Sequence, residues 1–386
     1  MTSLRDRQPA IAVTVFLLGM CALLNLYSTQ PILGQLSVWA GISAESAAWT
    51  ISAATIGVAV TAPVAGLISD KVGRRVVILC ALGAMALVTV LACFSWSFSS
   101  LLVIRLAQGL CCPFVFAVTV AHLNEVFPAE RSLSLNAVYV AGTAFGGFAG
   151  RALAAFLTDA VGSWRISFIG NAVLFLVSLL CAALFLPHDR RQPSEHNPHA
   201  TQPARPDASS PARTRSVTSV VLTALVGSAL LFQQVSSFTY MSLTLAEPPY
   251  ALSQSVIGLI FAVFLVPSIV TPVLSRLSRV LGQRGGFLAT QLIGLAGLGL
   301  TLSCVAVFAG QSSCTAAAPQ FLPERRSTAV GTYLSGYYLG GALGAVVPAG
   351  MYRAHGWEGV VLLDALIVAG SVLLAWVAWR RLARRA

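Results

Sequence analysis

The sequence predicts an all-α membrane protein with twelve transmembrane helices in two pseudo-symmetric six-helix halves. Three observations carry that prediction. The first is composition: 56% of the 386 residues are apolar and 10% are charged, against about 25% charged in soluble proteins. Mean hydropathy is +0.80. Apolar runs of roughly 20 residues, each long enough to cross a bilayer core, recur from residue 10 to residue 379. The second is the placement of basic residues in alternate loops, and the third is an internal repeat. A soluble globular enzyme is excluded by the composition alone.

Spans 1 to 6 are expected at about 10–36, 46–68, 76–94, 99–121, 133–157 and 165–186. The first begins after Arg5, Asp6 and Arg7 and is too long for the apolar part of a signal peptide, so it reads as an uncleaved span. Residues 188–215 are rich in Pro, Ser and charge, with nothing larger than Ala to bury, and form a flexible linker. The linker divides an N-terminal half (1–187) from a C-terminal half (216–386). Spans 7, 8, 11 and 12 are expected at about 217–243, 253–275, 328–350 and 358–379, followed by the basic tail Arg380 to Arg385. Trp39, Trp49, Trp96, Trp164, Trp357, Trp376 and Trp379 fall near span ends, where interfacial aromatics belong.

The net charge of +11 reports orientation. Of the 24 Lys and Arg residues, Arg165 and Arg353 fall in one set of loops and Arg105 and Arg151 within spans. All the rest lie in the other loops and the termini. That pattern places both termini in the cytoplasm. No clustered basic surface with stacking aromatics suggests nucleic acid. The eight cysteines all lie in apolar runs without CxxC or zinc spacing, so they read as small packing residues, and neither a metal nor a cofactor is expected.

The halves repeat each other. Pro63 to Arg75 aligns with Pro272 to Arg284, matching Pro63/Pro272, Ser69/Ser278, Gly73/Gly282 and Arg75/Arg284. A later block matches Phe127/Phe321, Glu130/Glu324, Arg131/Arg325, Tyr139/Tyr333, Gly142/Gly336, Gly146/Gly340 and Gly150/Gly344. Between these blocks the second half is shorter. Residues 285–323 separate two basic loops and must cross the bilayer twice, so spans 9 and 10 are shortened, with a break expected near Ser303. A single span plus a re-entrant piece is the alternative.

GLISDKVGRR (Gly66 to Arg75) resembles the loop 2-3 signature of the major facilitator superfamily and follows span 2, as it does there. RLAQG (Arg105 to Gly109) resembles that family's span 4 motif. GTAFGGFAGR (Gly142 to Arg151) resembles the span 5 motif of its proton-coupled exporters, with Gly147 where a proline is usual. The resemblance covers the whole chain and is nearest to the 12-span drug and sugar efflux branch of bacterial inner membranes. It implies a monomeric secondary transporter that exports a small organic solute in exchange for protons, and an acid, here Asp70, that docks on the start of span 11. Arg74 and Glu125 would complete that charge cluster. Independently of the family, Gly66 and Gly73 permit close approach and a tight turn, while Arg74 and Arg75 stay at the cytoplasmic surface.

Arg105 lies inside span 4, where an unpaired guanidinium costs on the order of several kcal/mol, so it should face a cavity, with Gln108 on the same face. Arg151 in span 5 can equally snorkel towards Asp159. Asn25 and Gln30 flank the middle of span 1 ahead of Pro31. Gln233, Ser237 and Tyr240 share a face of span 7, and Tyr333 and Tyr337 a face of span 11. Polar atoms turn away from lipid, so these faces look inward, either to touch substrate or to bond neighbouring helices. Gly142, Gly146 and Gly150 form a small-residue ridge for helix packing. Asp364 is the only acid well inside a second-half span, and spans 1 to 6 hold none at midplane depth. No GxSxG, HExxH, Walker A or selectivity-filter pattern occurs, so a membrane hydrolase, an ATP-driven pump and an ion channel lack their required residues.

Overall fold

The computed structural model describes residues 8–189, 211–267, 270, 285, 291, 300–322 and 326–379. Among them the regular elements are helical. The N-terminal half comprises α1 (Gln8–Leu24), a 3-10 turn (Gln30–Ile32), α2 (Leu33–Ala40), α3 (Ala44–Ala47), α4 (Trp49–Val72), α5 (Arg74–Ala92), α6 (Phe98–Val126), α7 (Ala129–Val161) and α8 (Arg165–Phe185). The C-terminal half comprises α9 (Pro211–Ala246), α10 (Gln254–Ile260), a 3-10 turn (Phe261–Leu265), α11 (Leu300–Phe321), α12 (Arg326–Val346) and α13 (Ala349–Trp379). Seven of the described helices are long and apolar enough to cross a membrane. Their outward faces carry exposed leucines and valines such as Leu87, Leu91, Leu180, Leu184, Leu366 and Leu373, which lipid covers.

Each half is built on the same glycine contact. On α7, a Cβ at Gly142, Gly146 or Gly150 would strike the carbonyl oxygens of Phe16, Met20 and Leu24, so only glycine lets α1 lie this close. On α12, Gly336, Gly340 and Gly344 meet Ala224, Ser228 and Phe232 of α9 in the same way. The repeat extends to tyrosine. Tyr139 donates to the Phe116 carbonyl of α6 at 3.1 Å, and Tyr333 reaches the Gln311 carbonyl of α11 at 3.5 Å. The helix α11 is therefore the counterpart of α6, which makes it span 10.

Three expectations about span limits change. The first span is not continuous over 10–36: the helix stops at Leu24, and residues 25–29 form turns ahead of Pro31, whose ring excludes a helical N–H. The expected break near Ser303 is absent, because α11 runs through it for 22 residues. The residues that would form span 9 lie mostly outside the described ones. Residues 211–215 of the expected linker belong to α9, and residues 190–210 lie outside the described residues. At the other end of that linker Asp189 is docked. It accepts from Arg75 N at 3.1 Å, placing an anion at the N-terminus of α5. It also lies 3.0 Å from Nδ1 of the buried His122.

Candidate functional site

The interior of the bundle is organised by the interruption after α1. A broken helix leaves main-chain carbonyls without their usual donors, and in a membrane interior each must find another. Arg105 supplies them. Its Nη1 donates to Asn25 O at 2.8 Å and its Nη2 to Leu26 O at 2.7 Å, while Nε donates to Thr50 O on α4 at 3.0 Å. Gln108 Oε1 accepts from Nη1 at 2.8 Å, one helical turn along α6. Gln108 and Asn25 then both donate to Thr89 Oγ1 of α5, each at 3.1 Å. Arg105 is 0% exposed. The expectation that it faces a cavity is corrected by these bonds: all three of its nitrogens are engaged by protein, most of them by backbone.

In the C-terminal half the polar face of α9 is likewise committed to its neighbours. Gln233 donates to Ser303 of α11 at 2.5 Å, and Tyr240 donates to Ala345 O of α12 at 3.0 Å. Ser237 donates to Asp364 Oδ2 of α13 at 2.6 Å. Tyr333 is fully buried, with its ring against Gly227, and Tyr337 is buried beside it at a centroid distance of 5.9 Å. Asp364 stands about two turns beyond Gly356, where α13 breaks with φ +59°, and is 5% exposed. Its Oδ1 and the neighbouring Ser236 hydroxyl have no hydrogen-bond partner among the described residues.

The halves meet along α4 and α12, where Ser335 donates to Ala59 O at 2.8 Å and Gly331 lies against Pro63, and at the end of the bundle that carries α2 and α10. Gln30 donates to Thr239 of α9 at 2.9 Å, Ser255 N at the start of α10 donates to Asp159 at 3.0 Å, and Ser52 donates to Ala342 O at 2.7 Å. Arg151 sits at the same seam. It does not snorkel to Asp159. Its Nε donates to Gln30 at 2.6 Å, its Nη1 folds back onto the Gly147 carbonyl, and its guanidinium lies over Tyr27, Phe261 and Phe264. Sequence reasoning gave Arg151 no specific place. Asp159, eight residues along α7, instead accepts from Ser255 N of α10.

At the opposite end the loop signature is a compact charge cluster. Arg74 pairs with Asp70 at 3.1 Å and with Glu125 at 2.9 Å, and also donates to Ala121 O. Arg75 instead turns to Leu186 and Ala183 carbonyls at the end of α8. Gly73 has φ +101°, a conformation that only glycine adopts without strain, and a Cβ there would crowd Asp189 at 2.9 Å. Gly66 makes no close approach in this conformation, and the Asp70 carboxylate remains more than half exposed.

A family model described as the Major Facilitator Superfamily matches residues 15–312. The chain is 27% identical over 386 residues to the inner membrane transport protein YnfM of Escherichia coli (strain K12), covering 96% of this chain and 91% of that one. It is 25% identical over 395 residues to an uncharacterized MFS-type transporter, YybF, of Bacillus subtilis (strain 168), covering 96% of each. Among solved structures, the nucleoside transporter NupG superposes with a TM-score of 0.69 at 14% identity, covering 96% of this chain and 99% of that one. The human organic anion transporter MFSD10 superposes with a TM-score of 0.65 at 18% identity, covering 95% and 99%. At such identities these two likenesses speak to the fold.

Proposed function

Since this chain belongs to the Major Facilitator Superfamily, we propose that it exports a small organic solute, drug-like or sugar-like, in exchange for protons. It is a multi-pass membrane transporter and not an enzyme. In our reading it works as a monomer in a bacterial inner membrane, with both termini cytoplasmic, by rocking one half against the other around a central site. The concentration of Lys and Arg at the Gly73 end assigns that end to the cytoplasm. The halves are then joined on the outer side through Gln30, Asp159 and Ser52, while Asp70 is free of the second half among the described residues.

The observation that carries proton exchange is Asp364. A buried carboxylate inside span 12, held by Ser237 with the Ser236 hydroxyl beside it, is the one acid well inside a span in the sequence. Its charge is costly there, and a proton removes the cost. Proteoliposomes with and without an imposed pH difference test the reading. An inward-acid gradient should accelerate flux of a labelled solute, and Asp364→Asn should make flux indifferent to the gradient. Identical rates in the parent protein would leave a proton-independent facilitator.

The loop cluster supplies the latch of the outward-facing state. When the cytoplasmic side closes, Asp70 docks on the start of α12, where free N–H groups favour an anion, with Arg74 and Glu125 holding its helix end in place. Asp70→Asn keeps the shape and removes the charge. It should shift the equilibrium towards the inward-facing state by about 1 to 2 kcal/mol. Spin-label distances between the halves read that shift directly, and unchanged populations would contradict the latch.

A further inference from the structure

Arg151 is a buried cation without a counter-ion. Burial of a guanidinium at this depth requires hydration or an anion, and no carboxylate among the described residues pairs with it. Asp159 is engaged by the α10 N-terminus and Asp364 by Ser237. No Asp or Glu occurs between Glu247 and Glu324. What surrounds the charge is aromatic: the guanidinium carbon lies 4.6 Å from the ring centroid of Tyr27, 4.9 Å from Phe261 and 4.4 Å from Phe264. Those rings give favourable cation–π contacts but leave the charge uncancelled. Its Nη2 makes no hydrogen bond to a described residue. The Tyr27 hydroxyl is buried, in a residue only 7% exposed, and it too has no partner among the described residues. Arg105, the other intramembrane arginine, differs in having all its nitrogens occupied.

We infer that Arg151 and Tyr27 form an anion subsite, which takes the carboxylate of an aromatic organic monoanion when the halves part at this seam and uncover Phe261 and Phe264, both buried here. The inference rests on the transporter reading and narrows its solute to this class. The chemistry divides between the two groups. The guanidinium edge and the phenol donate to the carboxylate, charge-assisted bonds that a neutral amide cannot receive with equal strength. The rings accept the apolar remainder. Arg151 and Tyr27 belong to the first half and the two phenylalanines to the second, so a solute seated here touches both halves. Its binding then biases their relative position, as alternating access requires.

The test uses the full chain in detergent, with 2-naphthoate and its neutral twin 2-naphthamide as probes in equilibrium dialysis. The carboxylate should bind about tenfold or more tightly than the amide. Arg151→Gln should abolish that preference, Arg151→Lys should restore part of it, and Tyr27→Phe should weaken naphthoate binding several-fold without changing the unfolding temperature. Equal binding of the two probes, binding of neither, or an undiminished preference in Arg151→Gln would overturn the subsite. Asp364→Asn separates this inference from the proton-exchange reading. That variant should keep the naphthoate preference whether or not flux responds to pH, whereas loss of the preference with flux intact would remove the subsite and leave the transporter.

Discussion

Arg105→Met is expected to unfold in detergent well below the parent protein, with a loss of about 3 kcal/mol or more. The side chains are similar in length, so the change removes hydrogen bonds more than volume. Two effects oppose each other. Methionine relieves the desolvation of a fully buried guanidinium, which favours the variant. Against this, the Leu26 carbonyl and Gln108 Oε1 lose their donor, while Asn25 O keeps the Ser28 hydroxyl and Thr50 O keeps its helical N–H. An orphaned buried acceptor costs roughly 1 to 3 kcal/mol each. Two such acceptors, one of them a main-chain carbonyl in a broken helix, outweigh the relief, so the second effect wins. Arg105→Lys should fall between, because one ammonium cannot span carbonyls on two different segments as the planar fork does. Gln108→Leu should cost less, near 1 kcal/mol, since it removes a side-chain acceptor from a donor that keeps the Asn25 carbonyl. Chemical or thermal unfolding of the purified variants ranks them. An Arg105→Met protein that unfolds normally yet transports nothing would assign Arg105 to the transport cycle and not to the framework.

What the sequence made legible, and what it hid, follows the range of the interactions concerned. The ridge of Gly142, Gly146 and Gly150 was readable because its spacing repeats every four residues and its recurrence at Gly336, Gly340 and Gly344 leaves little to chance. The charge cluster of Asp70, Arg74 and Glu125 was also readable, being mostly local to one helix end and its neighbour. The destination of Arg105 was not. Its partners are carbonyls, which every residue possesses, and they became available through a break between Leu24 and Gln30 that Pro31 alone signalled weakly. Arg151 was hidden for a related reason: two of its aromatic contacts come from a 3-10 turn in the other half, more than a hundred residues away. The inward-facing polar residues Gln233, Ser237 and Tyr240 could be placed on one helix face from their periodicity, whereas Asn25 and Gln30 fall in the interruption after α1. Periodicity does not distinguish a bond to the next helix from a bond to a solute, and here each has found a helix partner.

Gly146→Val and Gly340→Val should each prevent stable folding, and by similar amounts. At both positions a Cβ would overlap a carbonyl oxygen of the facing helix, Met20 on α1 or Ser228 on α9, and backbone cannot move aside as a flexible side chain can. Relief requires the helices to separate, which costs the close packing along the whole ridge; overpacking alone costs about 1 to 3 kcal/mol before that loss is counted. Even alanine should destabilise, because the roughly 1 kcal/mol it gains in helix propensity is smaller than the clash. Gly350→Ala provides the contrast, since nothing lies within 4 Å of its Cβ position, and it should leave the unfolding temperature unchanged or slightly raised. Yield of monodisperse protein and unfolding in detergent measure all of these. The paired design tests the internal symmetry as well as the contact. If Gly340→Ala were tolerated while Gly146→Ala were not, α9 and α12 would have room that α1 and α7 lack, and the halves would not share one packing solution.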